Sequence, residues 1–283
     1  MARVDKLAAT KGGTATRRLV IHCGVQKTAT TSLHHFAARN SAVLSPQLEV
    51  LTPGKGTRTQ KMGRAAMMFS LDPSLENKDR FIALIGDLRD HLLGGSGPVL
   101  VSHENLPGAM IGKGGVVTLY PMLERIIALL ETHFAPLVPD YAFYTRDMMA
   151  WKKSVHNQAV KSDQYPHSWA DFQRETKDCG TWGDLESRMH AIIGGDRTRF
   201  FRLEDEGAAG RPALQLLRFA GVTDDVIDAL ADLPNQRNQS LNRGSLEFLR
   251  KVNALGLERG ARRKVADLVQ QSQPLFATGG APR

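Results

Sequence analysis

A short apolar segment near the amino terminus, residues 19–23, leads directly into Gly24 and then into a stretch rich in hydroxyl side chains. The apolar segment has the length and composition of a buried strand. Apolar residues between Leu33 and Val43 can share one helical face, so a helix is expected to begin near Thr30. A strand joined to a helix by so short a turn is typical of a βαβ unit, which predicts a sheet with parallel strands.

Three further apolar runs predict buried strands at residues 98–102, 141–145 and 199–203. Apolar periodicity predicts helices between and after the strands, at residues 75–93, 121–134, 147–161, 169–193 (in two pieces broken near Gly180), 212–219, 224–233, 245–255 and 261–271. The polar and basic residues 53–64 predict a loop. Strands separated by helices indicate the α/β class, with a mainly parallel sheet flanked by helices.

The ends of the chain lack these patterns. We expect residues 1–17 to be a flexible basic N-terminus, residues 18–272 to form a single α/β domain, and residues 273–283 to be a frayed tail. The first 18 residues carry no apolar core of a secretory signal, and no apolar run approaches the roughly 20 residues of a membrane span. These features predict a cytoplasmic protein without a membrane span.

Charge and cysteine content narrow the function classes. Lys and Arg number 37 against 29 Asp and Glu, a formal charge of +8 that favours an anionic partner. The two cysteines, Cys23 and Cys179, exclude a disulfide framework and lack the spacing of a metal site. The sequence therefore predicts reduced, incidental thiols and no bound metal.

The segment from Gly24 to Ser32 has the composition of an anion-binding turn. A turn at a helix N-terminus presents backbone N–H groups and the positive end of the helix dipole, which favour phosphate or sulfate. Lys27 adds a positive charge, and the neighbouring hydroxyls add donors. The alternative is a well-capped turn with a chance lysine. A Walker A loop is excluded, because its second glycine and its lysine would fall at Ala29 and Thr30.

Residues 21–33, Ile-His-Cys-Gly-Val-Gln-Lys-Thr-Ala-Thr-Thr-Ser-Leu, resemble the 5′-phosphosulfate loop of the sulfotransferases, usually written K-T-G-T-T-S-L. The resemblance implies a P-loop NTPase-like sulfotransferase fold that binds 3′-phosphoadenosine 5′-phosphosulfate (PAPS) without a metal. It also implies the residues that contact the nucleotide: Gln26, Lys27, Thr28, Ala29, Thr30, Thr31 and Ser32. Ala29 replaces the glycine of the family pattern, and it is strained if the position requires a positive φ.

A second motif follows the third predicted strand. Arg146 ends that strand, and Ser154 follows eight residues later within the next predicted helix. The planar guanidinium suits bidentate phosphate binding, and the serine can face the same pocket from the helix. The pair is similar to the family's 3′-phosphate motif. The polar loop at residues 235–243 contains Arg237, for which the resemblance implies a contact with the adenosine phosphate, a solvated loop being the alternative.

Two titratable side chains, His103 and Glu104, follow the second predicted strand. Sulfuryl transfer to an alcohol requires a base for the hydroxyl proton. Neighbouring side chains on a strand point to opposite faces, so only one of the two is expected to meet the acceptor. The S-x-E pattern of many prokaryotic family members matches Ser102 to Glu104 and favours Glu104. His103 is the alternative base, and a purely structural capping role for Glu104 is a third interpretation.

The resemblance implies an enzyme that moves a sulfuryl group from PAPS to a hydroxyl or amine of an acceptor. A carbohydrate or another small molecule is expected as the partner rather than nucleic acid. Two other functions fit parts of the sequence. An ATP-dependent small-molecule kinase with an atypical P-loop requires Mg²⁺ and a carboxylate to hold it. A non-catalytic binder of nucleotides or polyanions is suggested by the charge of +8.

Overall fold

The computed structural model of the chain describes residues 17–207, 210–234 and 241–277. In this part of the chain, five parallel strands form one sheet in the order β2-β3-β1-β4-β5. Their bounds are β1 (Leu19–His22), β2 (Glu49–Leu51), β3 (Val99–Ser102), β4 (Pro139–Thr145) and β5 (Thr198–Arg202). Helices flank the sheet, and all four residues of the central strand β1 are buried. The predicted α/β class with a parallel sheet is therefore confirmed.

The helices connect the strands and cover both faces of the sheet. Their bounds are α1 (Thr30–Arg39), α2 (Ser41–Leu44), α3 (Arg58–Leu71), α4 (Leu75–Leu93), α5 (Leu123–Phe134), α6 (Met148–Ser162), α7 (Trp169–Glu175), α8 (Trp182–Ile193), α9 (Leu214–Phe219), α10 (Asp224–Asp228), α11 (Arg243–Asn253) and α12 (Arg259–Gln271). The helix predicted at residues 75–93 is confirmed as α4, and the predicted break near Gly180 separates α7 from α8.

Successive residues of the central strand pack into two different cores. Leu19 and Ile21 belong to a core formed with α3 to α8 on one face of the sheet. Val20 belongs to a core formed with α1, α2, α9 and α10 on the other face. This alternation follows from the pleat of a strand, in which neighbouring side chains point to opposite faces. A sheet covered in this way exposes only its two ends, so functional groups collect where the strands end.

The loop predicted at residues 53–64 is wrong in its second half, because α3 begins at Arg58. The hydroxyl of Thr57 accepts a hydrogen bond from the backbone N–H of Gln60 at 3.2 Å, which caps the helix start. Met62, Ala66 and Phe69 are buried on one side of the helix. Thr57 and the apolar spacing of α3 are visible in the sequence. The basic residues in the first two turns of the helix made this segment look like a polar loop.

Other boundaries differ from the prediction where tertiary contacts end or start an element. The helix predicted at residues 224–233 stops at Asp228. The side chain of Arg211 donates to the carbonyls of Ile227 and Leu230, and these bonds take the place of further helical turns. Strand β2 was not predicted, because only three half-buried residues form it at the edge of the sheet. The helix predicted from residue 121 begins at Leu123.

Residues at both borders of the predicted domain make defined contacts. Arg17 donates to the carbonyl of Gly97 at 2.6 Å and pairs with Glu49, so this residue belongs to the folded domain. At the other end, Gln273 accepts a 2.8 Å bond at its side-chain oxygen from the backbone N–H of Asn242. A 3₁₀ turn spans Gln273–Phe276, within the segment that the sequence predicts to be a tail. Residues 1–16 and 278–283 lie outside the described residues.

Cys23 and Cys179 are buried free thiols. Among the helices of residues 17–207, 210–234 and 241–277, none is long and apolar enough to cross a membrane.

Two helical glycines allow a test of the packing of α3 against the sheet edge. A Cβ added at Gly63 would lie 2.2 Å from the ring of His103, whereas one added at Gly86 in α4 would have its nearest contact at 4.0 Å. We expect Gly63→Ala to lower the free energy of unfolding by about 2 kcal/mol, because the buried ring must move. Gly86→Ala should raise it by about 1 kcal/mol through helix propensity.

Urea unfolding of the two variants measures these changes. If Gly63→Ala is as stable as Gly86→Ala, α3 does not pack against His103 in this way.

Candidate active site

A cleft of about 670 Å³ opens at the carboxyl ends of the central strands. His22, the last residue of β1, pairs in register with Ser102, the last residue of β3, so these two strands end at the same level. On its other side His22 pairs with Ala142 of β4, which continues to Thr145. The connections from β1 and β4 lead to opposite sides of the sheet, and ligands of parallel sheets bind at such a divergence. Residues from three separate sequence motifs line this cleft: Gln26, Lys27, Ala29, Thr30, Thr31, Ser32, Glu104, Arg146 and Ser154.

The loop after β1 has the backbone conformation of an anion-binding turn. Lys27 and Ala29 both adopt left-handed conformations, with φ of 71° and 63°. Left-handed residues that alternate with others along a turn make successive N–H groups converge on a concave surface. Helix α1 begins at Thr30, and no side chain of the described residues caps it. Its first N–H groups are therefore available to a ligand.

Gly24 brings this loop against the end of β3. Its φ is 46°, and a Cβ at this position would lie 2.7 Å from the Cα of Glu104. A side chain here is excluded both by the backbone conformation and by the neighbouring backbone. The glycine therefore keeps this turn in contact with the segment that carries the candidate base.

Two buried polar atoms beside the loop have no hydrogen-bond partner among the described residues. They are the hydroxyl oxygen of Thr30 and the Nε of Arg146. Buried polar groups are nearly always paired, and an unpaired one marks either strain or a missing ligand. Arg146 also donates from Nη1 to the carbonyl of Lys27 at 3.3 Å, so its guanidinium lies against the loop. The two unpaired atoms are consistent with an anion held between the loop and Arg146.

Lys27 provides a positive charge within the cleft. Its Nζ donates to Oε1 of Gln158 at 3.3 Å. Burial, and then the positive charges of Lys161 and Arg146, lower the pKa of Lys27 below its usual value, while Glu104 opposes this shift. An anion bound beside the ammonium would stabilise its charged form, so the residues around Lys27 favour a ligand with negative charge.

Arg146 is held at its position by neighbouring elements. Its carbonyl accepts a 2.7 Å bond from Nε1 of Trp182. The next residue, Asp147, caps α6 by accepting from the N–H of Ala150 at 2.8 Å. Ser154 lies two turns into this helix and lines the same cleft. The cap fixes the start of α6 directly after Arg146, so the arginine and the serine of this helix line the same cleft.

The two candidate bases lie in different surroundings. Glu104 is half-buried and lines the cleft. His103 is buried beneath α3, and its Nδ1 accepts a 3.0 Å bond from the N–H of Asn105. Burial lowers the pKa of His103 to about 4, although a bond with the backbone of Gln60 opposes this shift. His103 is therefore a neutral, weakly basic group at pH 7, packed away from the residues that line the cleft.

Three of the residues implied as nucleotide contacts have no side chain that the structure shows free to bind in the cleft. Thr28 is buried and does not line the cleft; its hydroxyl donates to the carbonyl of Val25 at 2.6 Å and closes the turn. Gln26 lines the cleft, but its side-chain amide is bonded to other parts of the protein. Arg237 lies outside the described residues.

A hydrogen-bonded chain of side chains lies behind Glu104. The hydroxyl of Ser102 is 2.8 Å from Nδ1 of His22 and 2.9 Å from Nε2 of His34. Burial lowers the pKa of His22 to about 3 and that of His34 to about 4, so both rings are neutral at pH 7. The chain joins the ends of β1 and β3 to α1.

Several cleft residues were not identified from the sequence. Gln158 lies one helical turn beyond Ser154 on α6, and this i+4 spacing was the one available signal. Lys113 and Asp163 form an ion pair between two segments at the rim, and Met67 and Met110 also line the cleft. Nothing in their local sequence indicates these contacts. Within the described ranges, no group of three or more His, Cys, Asp or Glu residues is arranged to hold a metal ion.

Comparison with known proteins does not add to this geometry. No protein-family model matches the chain, and a search of curated proteins finds no relative.

The left-handed conformation of Ala29 has a measurable consequence. A residue with a Cβ at this φ is strained by about 1 kcal/mol, whereas glycine is not. We therefore expect Ala29→Gly to raise the free energy of unfolding by up to about 1 kcal/mol. Ala83→Gly, at an exposed position in the middle of α4, should lower it by about 1 kcal/mol.

Denaturant unfolding measures the free energy of unfolding of both variants, which can be compared when that free energy depends on denaturant concentration with the same slope. A loss of stability at both positions would show that Ala29 is not left-handed.

Proposed function

We propose that this protein is a PAPS-dependent sulfotransferase with a P-loop NTPase-like fold. The observation that carries the proposal is the convergence of two anion-binding groups and one carboxylate in a single cleft. The first group is the uncapped start of α1 with Lys27, and the second is Arg146 with Ser154. The carboxylate is that of Glu104.

Two separate anion-binding groups favour a nucleotide that carries phosphates at both its 3′ and 5′ positions. A linear triphosphate concentrates its charge on one chain and would engage mainly the loop after β1. Arg146 directly follows β4 and Ser154 lies on α6, so this second group comes from other elements than the loop after β1, although the guanidinium also donates to the carbonyl of Lys27 in that loop. Arg146 and Ser154 suit a second phosphate, and PAPS has this arrangement. The unpaired atoms of Thr30 and Arg146 fit the same ligand.

The residues of the loop would stabilise the charge that develops during transfer. PAPS supplies the sulfuryl group, whose bond to a phosphate oxygen breaks as its bond to the acceptor oxygen forms. The ammonium of Lys27 and the first N–H groups of α1 would hold the negative charge left on that phosphate oxygen. Arg146 and Ser154 would bind the 3′-phosphate and thereby orient the donor for in-line attack.

Glu104 would accept the proton of the attacking hydroxyl. It is half-buried in the cleft, close enough to Lys27 for their charges to influence each other. His103 is less suited, because its ring is packed under α3 and its Nδ1 already accepts from Asn105. The acceptor oxygen would therefore lie between Glu104 and the sulfuryl group, and Met67, Asn105 and Met110 would contact the rest of the acceptor.

A thermal-shift panel tests the donor site. We expect adenosine 3′,5′-bisphosphate to raise the melting temperature by about 5 °C at 100 times its dissociation constant, since it binds only the folded state. Lys27→Ala should fold normally, lose most of this shift, and lower the turnover of PAPS by about 100-fold or more. Lys61→Ala, which changes an exposed lysine on α3, serves as the matched control.

The outcomes of the panel separate the possible functions. A shift with ATP and Mg²⁺ but not with the bisphosphate would identify a kinase. A shift with an oligonucleotide that is lost steeply with salt and is indifferent to Lys27 would identify a polyanion binder.

A second comparison tests the choice of base. Glu104→Gln removes the proton acceptor and should lower the kcat for sulfuryl transfer by about 100-fold or more, with little change in the affinity for adenosine 3′,5′-bisphosphate. His103→Asn retains an oxygen that can accept from the N–H of Asn105 and should lower kcat less than about 10-fold. The reverse order of effects would assign the base to His103.

A further inference from the structure

The side chain of Gln26 forms a buried junction between two loops of the cleft. Its Nε2 donates to Oδ1 of Asn105 at 3.2 Å and to the carbonyl of Gly108 at 2.9 Å. Its Oε1 accepts from the hydroxyl of Tyr120 at 2.6 Å. The donors and the acceptor of the amide are thus all engaged by residues of the protein. The side chain has no remaining N–H group to offer to a bound nucleotide.

The groups on either side of this junction are also fixed. The backbone carbonyl of Gln26 accepts a 2.8 Å bond from Nε1 of Trp151. The carbonyl of Tyr120 accepts a 2.7 Å bond from Arg188. Burial raises the pKa of Tyr120, so its hydroxyl remains protonated and donates to the amide. The junction therefore joins the anion-binding loop to three parts of the fold that lie far away in sequence.

The two loops joined by Gln26 carry the two reacting sides of the proposed transfer. Lys27 follows Gln26 directly in the loop that would hold the 5′-phosphosulfate. Glu104 directly precedes Asn105, to which the amide is bonded. The amide bonds are thus one of the contacts that hold the backbone around Lys27 next to the backbone around Glu104.

We propose that Gln26 is a positioning residue, which sets the separation between the donor-binding loop and the base without itself binding the donor. This inference rests on the proposed sulfotransferase function. A misplacement of about 1 Å between reacting groups is enough to lower a rate by about 100-fold. Loss of the junction should therefore slow transfer far more than it weakens nucleotide binding.

The experiment compares the wild-type protein with Gln26→Met and Tyr120→Phe. Methionine has nearly the length of glutamine but forms none of the three side-chain bonds, and phenylalanine removes only the bond from the hydroxyl. Gln47→Met is the matched control, since Gln47 also bonds through its amide, to Thr223, away from the cleft. Each protein is assayed for release of adenosine 3′,5′-bisphosphate from PAPS, with 4-nitrophenol, chitobiose and water as acceptors.

Two further measurements accompany turnover. The dissociation constant of adenosine 3′,5′-bisphosphate is measured by calorimetry. Hydrogen exchange then reports whether the backbone amides of residues 24–32 and 103–110 open together or separately.

We expect Gln26→Met to lower kcat by about 100-fold, with less than about a threefold change in the dissociation constant of the bisphosphate. Tyr120→Phe should give a smaller loss of kcat, and Gln47→Met none. Exchange should rise in both residues 24–32 and residues 103–110 of Gln26→Met.

Three results would overturn the positioning role. One is that the wild-type protein binds and turns over PAPS and that Gln26→Met turns it over at the same rate. Another is a loss of bisphosphate affinity as large as the loss of kcat, which would make Gln26 a donor ligand. The third is faster exchange in residues 24–32 alone. By contrast, a wild-type protein that neither binds the bisphosphate nor turns over PAPS overturns the proposed function itself, and the positioning role with it.

Discussion

The parallel register of β1 with both of its neighbours determines where the candidate functional groups lie. His22 is level with Ser102 on one side and with Ala142 on the other. The loops that leave these strands therefore begin close to the same edge of the sheet, and the helices that follow diverge from it. If β1 were shifted by one residue, its side chains would exchange cores and the turn at Gly24 would move away from Glu104.

The loop after β1 combines strain with unsatisfied polar groups. Lys27 and Ala29 have left-handed backbones, and the hydroxyl of Thr30 is buried without a partner among the described residues. Each feature is unfavourable by itself, and together they persist because the surrounding core determines the path of the chain. A loop held in this conformation before a ligand arrives needs little rearrangement to bind an anion, so the strain is compatible with an organised site.

The position of α3 accounts for the difference between His103 and Glu104. Gly63 lets the imidazole pack directly beneath the helix, since a methyl group there would overlap the ring. Residues 103 and 104 lie beyond the end of β3 at Ser102, so the predicted alternation of a strand does not apply to them; the chain turns here, and Glu104 lines the cleft. Helix α3, whose first residues the sequence predicts to be a loop, thus covers His103 but not Glu104.

Local sequence determined the type of most elements and the three motifs that meet at the cleft. The strand at residues 19–22 and the helix starting at Thr30 follow from apolar spacing and from turn chemistry, which act over a few residues. The pair of Arg146 with Ser154 was singled out by its similarity to a family motif. Tertiary structure alone decided that His103 is buried and that the amide of Gln26 is bonded to Asn105, Gly108 and Tyr120. These outcomes depend on contacts between residues up to about a hundred positions apart, and no local pattern encodes such contacts, because only the packed sheet brings the groups within bonding distance.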